Sequence, residues 1–374
     1  MAAMKLEPFA LERFFARHEF TAAHVLCASD CETFTIRELL ALETGAEEQF
    51  AALRLGYTET AGNPELRQQI ANLYQGVTAA DILVFAGAEE AIFVFMNAVL
   101  NAGDRLLVHS PCYQSLVAVA AGNGCQVTPW QTSQENGWKL DLGFLERSST
   151  AATRALVVNF PHNPSGYLPG RDFFERCLQL AAARGWLVFS DEVYRFLEYQ
   201  PENRLPAACE MVENGISLGV MSKSFGLAGL RLGWVACRNR DSLQKMAAYK
   251  DYTTICTAAP SEFLASLALR HHETILKRNR EIIARNLDRL RDFMRQHSKY
   301  FSWQEPKAGP VAFPRVTFAP ASDDLCAGLL QKKGVLLLPG RLFAAAPAQF
   351  RIGFGRSDFQ AGLEKLAAYM RENF

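Results

Sequence analysis

No run of about 18 uncharged apolar residues, the length a helix needs to cross a bilayer, occurs in this 374-residue chain. The stretch from Met1 to Arg17 carries Glu7, Glu12 and Arg13 in place of an apolar signal core. Neither membrane insertion nor secretion is expected, and the cytoplasm is the expected compartment. Charge of one sign is also missing: Lys+Arg and Asp+Glu are 39 each, so no global field favours nucleic acid or an anionic membrane. The expected ligand is small and zwitterionic. The nine cysteines show no paired framework, and reduced thiols are expected. His24-x₂-Cys27-x₃-Cys31 lacks a fourth ligand at metal spacing, and His271-His272-Glu273 lacks the second histidine of a zincin helix, so no metal is expected. Neither Gly-x₄-Gly-Lys-Ser/Thr nor Gly-x-Gly-x-x-Gly follows the first strand-like run, which argues against a nucleotide-binding or purely structural α/β protein. Internal repeats and low-complexity stretches are absent as well.

What is present is soluble-enzyme material. With 49% hydrophobic residues, a chain of this length buries roughly three quarters of its unfolded surface and divides into two domains. Short β-branched or aromatic runs predict strands near Ile82–Phe85, Arg105–His109, Gln126–Pro129, Arg154–Asn159, Trp186–Ser190, Ser217–Met221 and Arg231–Ala236. Helical segments, including one from Glu90 to about Leu100, lie between most of them. The alternation predicts an α/β fold: a mostly parallel seven-stranded sheet with helices on both faces. Glu273 to His297 reads as one long amphipathic helix. Further strands near Val311–Phe318, Val335–Leu338 and Phe350–Gly353 predict a smaller α+β domain shared with the N-terminal arm.

The chemistry concentrates in Val220-Met221-Ser222-Lys223-Ser224-Phe225-Gly226-Leu227-Ala228-Gly229-Leu230-Arg231-Leu232-Gly233-Trp234. One lysine sits among small and apolar residues, with an arginine eight positions on. A free lysine titrates near 10.4, and using it as a nucleophile at neutral pH requires lowering that by about 4 kcal/mol of relative charge stabilisation. Apolar neighbours (Phe225, Leu227, Leu230) and a nearby cation (Arg231) both act in that direction. Asn159-Phe160-Pro161-His162-Asn163-Pro164-Ser165-Gly166 and Ser190-Asp191-Glu192-Val193-Tyr194 each follow a predicted strand. Both therefore sit at the sheet edge where ligands of open α/β folds bind. A solvated lysine in a Ser/Gly turn is the plain reading of the first motif alone; the three motifs in order argue against it.

Together they make the chain resemble the class I/II aminotransferases, pyridoxal-phosphate enzymes of the aspartate aminotransferase fold type I, over nearly its whole length. The resemblance implies a large cofactor-binding domain over 36–270, with 1–35 and 271–374 forming the N-terminal arm and the small domain. It implies that Lys223 holds pyridoxal 5′-phosphate as an internal aldimine and then moves a proton. Asp191 would face the pyridine nitrogen, and Asn163 and Tyr194 the phenolic oxygen. Arg231, Ser222 and the turn Gly87-Ala88-Glu89 at a helix start would take the phosphate. Tyr113 would stack on the ring, Arg351 would clamp the substrate α-carboxylate with Asn163 nearby, and Tyr57 would reach a neighbouring subunit's phosphate, implying a homodimer. Two departures stand out: Val220 replaces a second serine of many relatives, and Cys27-Ala28-Ser29-Asp30-Cys31-Glu32-Thr33 replaces a Gly-x-Pro segment.

The reaction expected is transfer of the amino group of an L-amino acid to a 2-oxo acid. The same residues serve lyases and cyclases, such as the capreomycidine synthases that cyclise a hydroxylated arginine, and these stand as the alternative. A non-catalytic cofactor-sensing module is a second alternative; those carry an N-terminal DNA-binding domain, for which the early start of the resemblance leaves no room. Asp30, Glu32 or Glu59, if they face the pocket, would favour a basic side chain.

Overall fold

The computed structural model describes residues 6–318, 322–344 and 347–374. Its centre is a seven-stranded sheet built from β1 (Ile82–Phe85), β2 (Arg105–Ser110), β3 (Gln126–Gln131), β4 (Thr153–Asn159), β5 (Leu187–Asp191), β6 (Gly215–Val220) and β7 (Gly233–Cys237). The spatial order is β1-β7-β6-β5-β4-β2-β3. β1, β5, β6 and β7 are buried at every position, as continuous apolar runs covered on both faces require.

Pairing directions decide where the chemistry gathers. β6-β5-β4-β2-β3 are parallel, whereas β7 is antiparallel to both β6 and β1. β1 and the five parallel strands thus end at one edge, and β7 begins there. The loop after β1, the Tyr113 loop after β2, the Asn163 loop after β4, Asp191 at the end of β5, Lys223 after β6 and Arg231 just before β7 all meet at that edge. Apolar clusters pack on the two faces, Phe95 and Phe189 stacking at 4.5 Å in one and Trp130, Phe160 and Phe174 joining another.

A second core holds Leu26 and Cys31 of the N-terminal arm against the C-terminal third of the chain. His24–Val25 pairs in parallel with Val335–Leu336. A three-stranded antiparallel sheet, with β10 (Phe350–Gly353) between β8 (Val311–Ala312) and β9 (Leu338–Pro339), brings Arg351 inward. The helix α1 (Ala10–His18) lies in the arm, α2 (Ala88–Ala98) follows β1, and the 25-residue α3 (His272–Gln296) bridges the two cores. Its buried positions Ile275, Leu276, Ile282, Ile283, Leu287 and Leu290 follow helical spacing.

Several strand boundaries differ from the sequence reading; Val335–Leu338, for one, divides into Val335–Leu336 and Leu338–Pro339. Arg231 and Leu232 lie outside β7: Arg231 caps a 3₁₀ turn in the left-handed region at φ 48°, which turns its side chain to the sheet edge. The strand expected over Val311–Phe318 breaks at Pro314, which has no N–H for a ladder. Arg315–Val316 pairs instead with Phe301–Ser302. All nine cysteines are unpaired, and eight are buried.

Candidate active site

A cavity of about 370 Å³ opens at the shared edge, and Lys223 faces into it. Its Nζ donates to the Ser29 hydroxyl at 2.9 Å. Burial pulls the ammonium below the usual lysine value; Asp30 opposes this, and Arg351 adds to it. The cation acting most strongly on Lys223 is therefore Arg351, from the other end of the chain. Phe225 and Leu227 belong to the core behind the loop and not to the cavity wall.

Asp191 lies at the cavity floor, 5% exposed. Burial raises its carboxyl to about 7, although the Val193 N–H, donating at 3.2 Å, and Lys223 both work against the rise. No ion pair reaches it among the described residues. Asn159 locks the loop beside it, donating to the Asp191 carbonyl at 2.9 Å and accepting from the Asn163 N–H at 2.7 Å. The Asn163 carbonyl oxygen accepts from Arg351 Nη1 at 3.1 Å, leaving its amide nitrogen free to donate. Arg351 is 1% exposed, and its Nε and Nη2 donate to the Cys27 carbonyl at 3.2 and 2.7 Å. A buried guanidinium held only by neutral acceptors retains its charge for a carboxylate.

The opposite wall suits a phosphate. Gly87 takes φ 93°, and a Cβ there would come within 2.7 Å of Arg231 Nη2, so the turn must stay bare for Arg231 to lie along it. Ala88 and Glu89 open α2 and line the cavity, which puts the positive end of that helix at its wall. Arg231 donates to the Ser222 hydroxyl at 3.4 Å and to the Ala228 carbonyl at 3.1 Å. Glu89 accepts from the Ser115 hydroxyl at 2.9 Å, and burial lifts its carboxyl to about 7. A carboxyl that keeps its proton near neutrality is compatible with an anion at the same turn.

The three tyrosines part company. Tyr113 lines the cavity, its hydroxyl donating to Glu12 at 3.0 Å and its ring 5.1 Å from Phe9. Tyr194 is buried behind the wall, its hydroxyl donating to the Ser29 carbonyl at 2.9 Å instead of facing the space above Asp191. Tyr57 is 92% exposed in a separate hollow with Thr58 and Glu59, away from this chain's cavity. Of the acidic residues expected to read a basic side chain, only Asp30 reaches the cavity. It is held by Arg356 through two bonds of 2.9 and 2.8 Å. Glu32 caps Ser357 at 2.6 Å, and Glu59 pairs with Arg67 at 3.3 Å in the other hollow. The sequence reading missed Ser29, Arg356, the α1 residues Leu11, Glu12 and Phe15, and the α1 C-cap Glu19 on the wall. The last four share one helix face, a periodicity visible in the sequence; nothing in the sequence ties that face to Lys223.

The donor set fits pyridoxal 5′-phosphate: a lysine at one wall, an unpaired buried carboxyl on the floor, an anion cradle opposite and a second arginine for an acid group. Comparison with known proteins agrees. A family model described as "Aminotransferase class I and II" matches residues 25–367. A PLP-dependent aminotransferase structure from Streptococcus suis 89-1591 superposes with a TM-score of 0.93 at 32% identity, covering 99% of both chains. Capreomycidine synthase from Streptomyces vinaceus is 28% identical over 371 residues, 98% of this chain and 93% of that protein. The structure of the PLP-dependent cyclase OrfR superposes with a TM-score of 0.88 at 28% identity, over 99% of this chain and 98% of that one.

Proposed function

We infer that this chain, which belongs to the aminotransferase class I and II family and is an enzyme dependent on pyridoxal 5′-phosphate, moves the amino group of an L-amino acid to a 2-oxo acid. The observation that carries the reading is the convergence of Lys223, Asp191, Asn163 and Arg351 on one cavity from four separate chain segments. When bound, the cofactor supplies the covalent attachment and the electron sink of the reaction.

The chain's own residues supply the rest. Arg231, the Ser222 hydroxyl and the bare Gly87-Ala88-Glu89 turn at the positive end of α2 hold the phosphate. Asp191 would face the ring nitrogen, where a cation would give the buried carboxylate the partner it lacks. Asn163, whose amide N–H is free, would donate to the phenolic oxygen, and Tyr113 would cover the ring. Arg351 takes the substrate carboxylate and so fixes the α-carbon against Lys223. The depressed ammonium of Lys223 lets its amine accept a proton from that carbon and return it, with the Ser29 hydroxyl holding Nζ between transfers. Tyr194 serves the same centre if its hydroxyl leaves the Ser29 carbonyl when cofactor binds.

We further propose 36–270 as the large domain, with 1–35 and 271–374 forming the arm and small domain, a cytoplasmic location, and a homodimer in which Tyr57 reaches the partner's phosphate site. The exposed Tyr57, Leu55 and Tyr252 support the last point. A second reading, a lyase or cyclase, is favoured by the likeness to capreomycidine synthase and to OrfR over almost the full chain. The visible absorption of the purified protein decides between them. A cofactor band that is bleached by an amino acid and restored by a 2-oxo acid, and is absent in Lys223→Ala, supports transamination. Ammonia release or a cyclic product without need of a 2-oxo acid supports the second reading.

A further inference from the structure

The charges around the cavity do not cancel once each is given its partner. Arg231 lies along the α2 turn, Arg351 is directed to the substrate carboxylate, and Arg356 is bound by Asp30. Glu89 is turned onto Ser115. With Asp191 set aside for the cofactor's ring nitrogen, two carboxylates remain, Glu12 and Glu19, both half-buried on the cavity face of α1 and its C-cap. Seven residues apart, they lie two helical turns from one another on the same side. Glu12 spends one oxygen on the Tyr113 hydroxyl. Glu19 makes no side-chain hydrogen bond or ion pair among the described residues. Beside them the same face carries Leu11 and Phe15, which offer an apolar track. The charge of Glu12 is felt at Lys223, Glu89 and Glu19, which places it inside the site and not beside it. Burial already holds the Glu19 carboxyl above the ordinary carboxylate range, with Asp30 and Glu12 adding to the rise and Arg356 opposing it.

We propose that Glu12 and Glu19 form the subsite for the side chain of a cationic L-amino acid, its methylene stem along Leu11 and Phe15 and its terminal ammonium or guanidinium between the two carboxylates. The proposal rests on use of this cavity for an amino acid substrate and names its class. A long basic side chain lays apolar methylenes on an apolar surface while its head stays polar, the pattern this face presents. A neutral side chain would leave two carboxylates partly desolvated and unpaired, and an acidic one would add repulsion. The carboxylates expected to do this from the sequence are engaged elsewhere; these two arrive on a helix more than 200 residues from Lys223.

Calorimetric binding to the cofactor-loaded enzyme tests the subsite with the deamino analogues of arginine and citrulline. These keep chain and carboxylate, lack the reacting amine, and differ in carrying a guanidinium or a neutral urea. The arginine analogue should bind about tenfold or more tightly. Glu12→Gln and Glu19→Gln, which keep shape and hydrogen-bonding oxygen, should each lower that ratio several-fold, and the double variant should bring it close to one. Equal binding of the two analogues by the unaltered enzyme, or a double variant that retains the ratio, overturns the subsite. Conversion of L-arginine, L-lysine and L-alanine with a 2-oxo acid is measured separately. Discrimination without amino transfer keeps the subsite and removes transamination. Transfer from neutral and basic donors alike, with equal analogue binding, does the reverse.

Discussion

Asp191 and Glu89 keep their protons to about 7 in the folded chain, against about 4 for the same groups unfolded. Between those values the native state holds more protons than the unfolded one. Their contribution to stability is therefore complete below about pH 4 and is lost as pH rises to about 7. In cofactor-free protein, Asp191→Asn should flatten the fall of the urea midpoint between pH 5 and 8; an unchanged slope would count against the buried, unpaired carboxyl. Gly87→Ala should raise the cofactor dissociation constant about tenfold or more, because the new methyl displaces Arg231 from a turn at φ 93°; fluorescence titration of the cofactor-free enzyme measures it. Arg351→Lys should raise KM for the amino acid by at least about tenfold with a smaller change in kcat, since a point charge replaces a fork held by Cys27 and Asn163. The identities of Lys223, Asp191, Asn163 and Arg231 were legible because each sits in a short motif at a strand end. The hydroxyl directions of Tyr194 and Ser29 were not, being set by residues more than 160 positions away.

Helix α3 was readable to within a residue at each end, because 25 residues of 3.6-residue periodicity have one solution. It also contributes to two apolar cores. Leu290 is fully buried in the core shared by the arm and the C-terminal strands, and Leu290→Ala should cost about 2–5 kcal/mol, read by urea denaturation. All seven central strands were visible as apolar runs, whereas Arg231 and Phe313–Pro314 were assigned to strands they do not join. A run of β-formers specifies an extended chain; which neighbour it pairs with, and where a proline forces a break, depends on distant partners. Helix α1 shows the same limit from the other side. Its amphipathic face was in the sequence, but an apolar stripe carrying two glutamates does not state which cavity it will line.

The molecule as a whole presents Leu55, Tyr57 and Tyr252 at 83%, 92% and 91% exposure, with Ile255 at 51%. Large apolar side chains this open are expected to be covered by a second copy. Tyr252→Glu with Ile255→Asp should shift the sedimentation coefficient from dimer to monomer and, if Tyr57 serves the partner's site, weaken cofactor binding in parallel. A monomeric variant with full cofactor affinity would remove that role from Tyr57. By itself the sequence determined the sheet and the chemistry of the motif residues, because those follow from local patterns: apolar runs, strand-end loops, a lysine framed by small residues; the cofactor followed from the family resemblance those motifs carry. Tertiary structure alone decided which cation most depresses Lys223, which carboxylates are free to meet a substrate, and that the one antiparallel strand of the central sheet begins, just after Arg231, at the same edge where the others end. Those are properties of charges and strands brought together across hundreds of residues, and electrostatic and steric terms act through space without regard to distance along the chain.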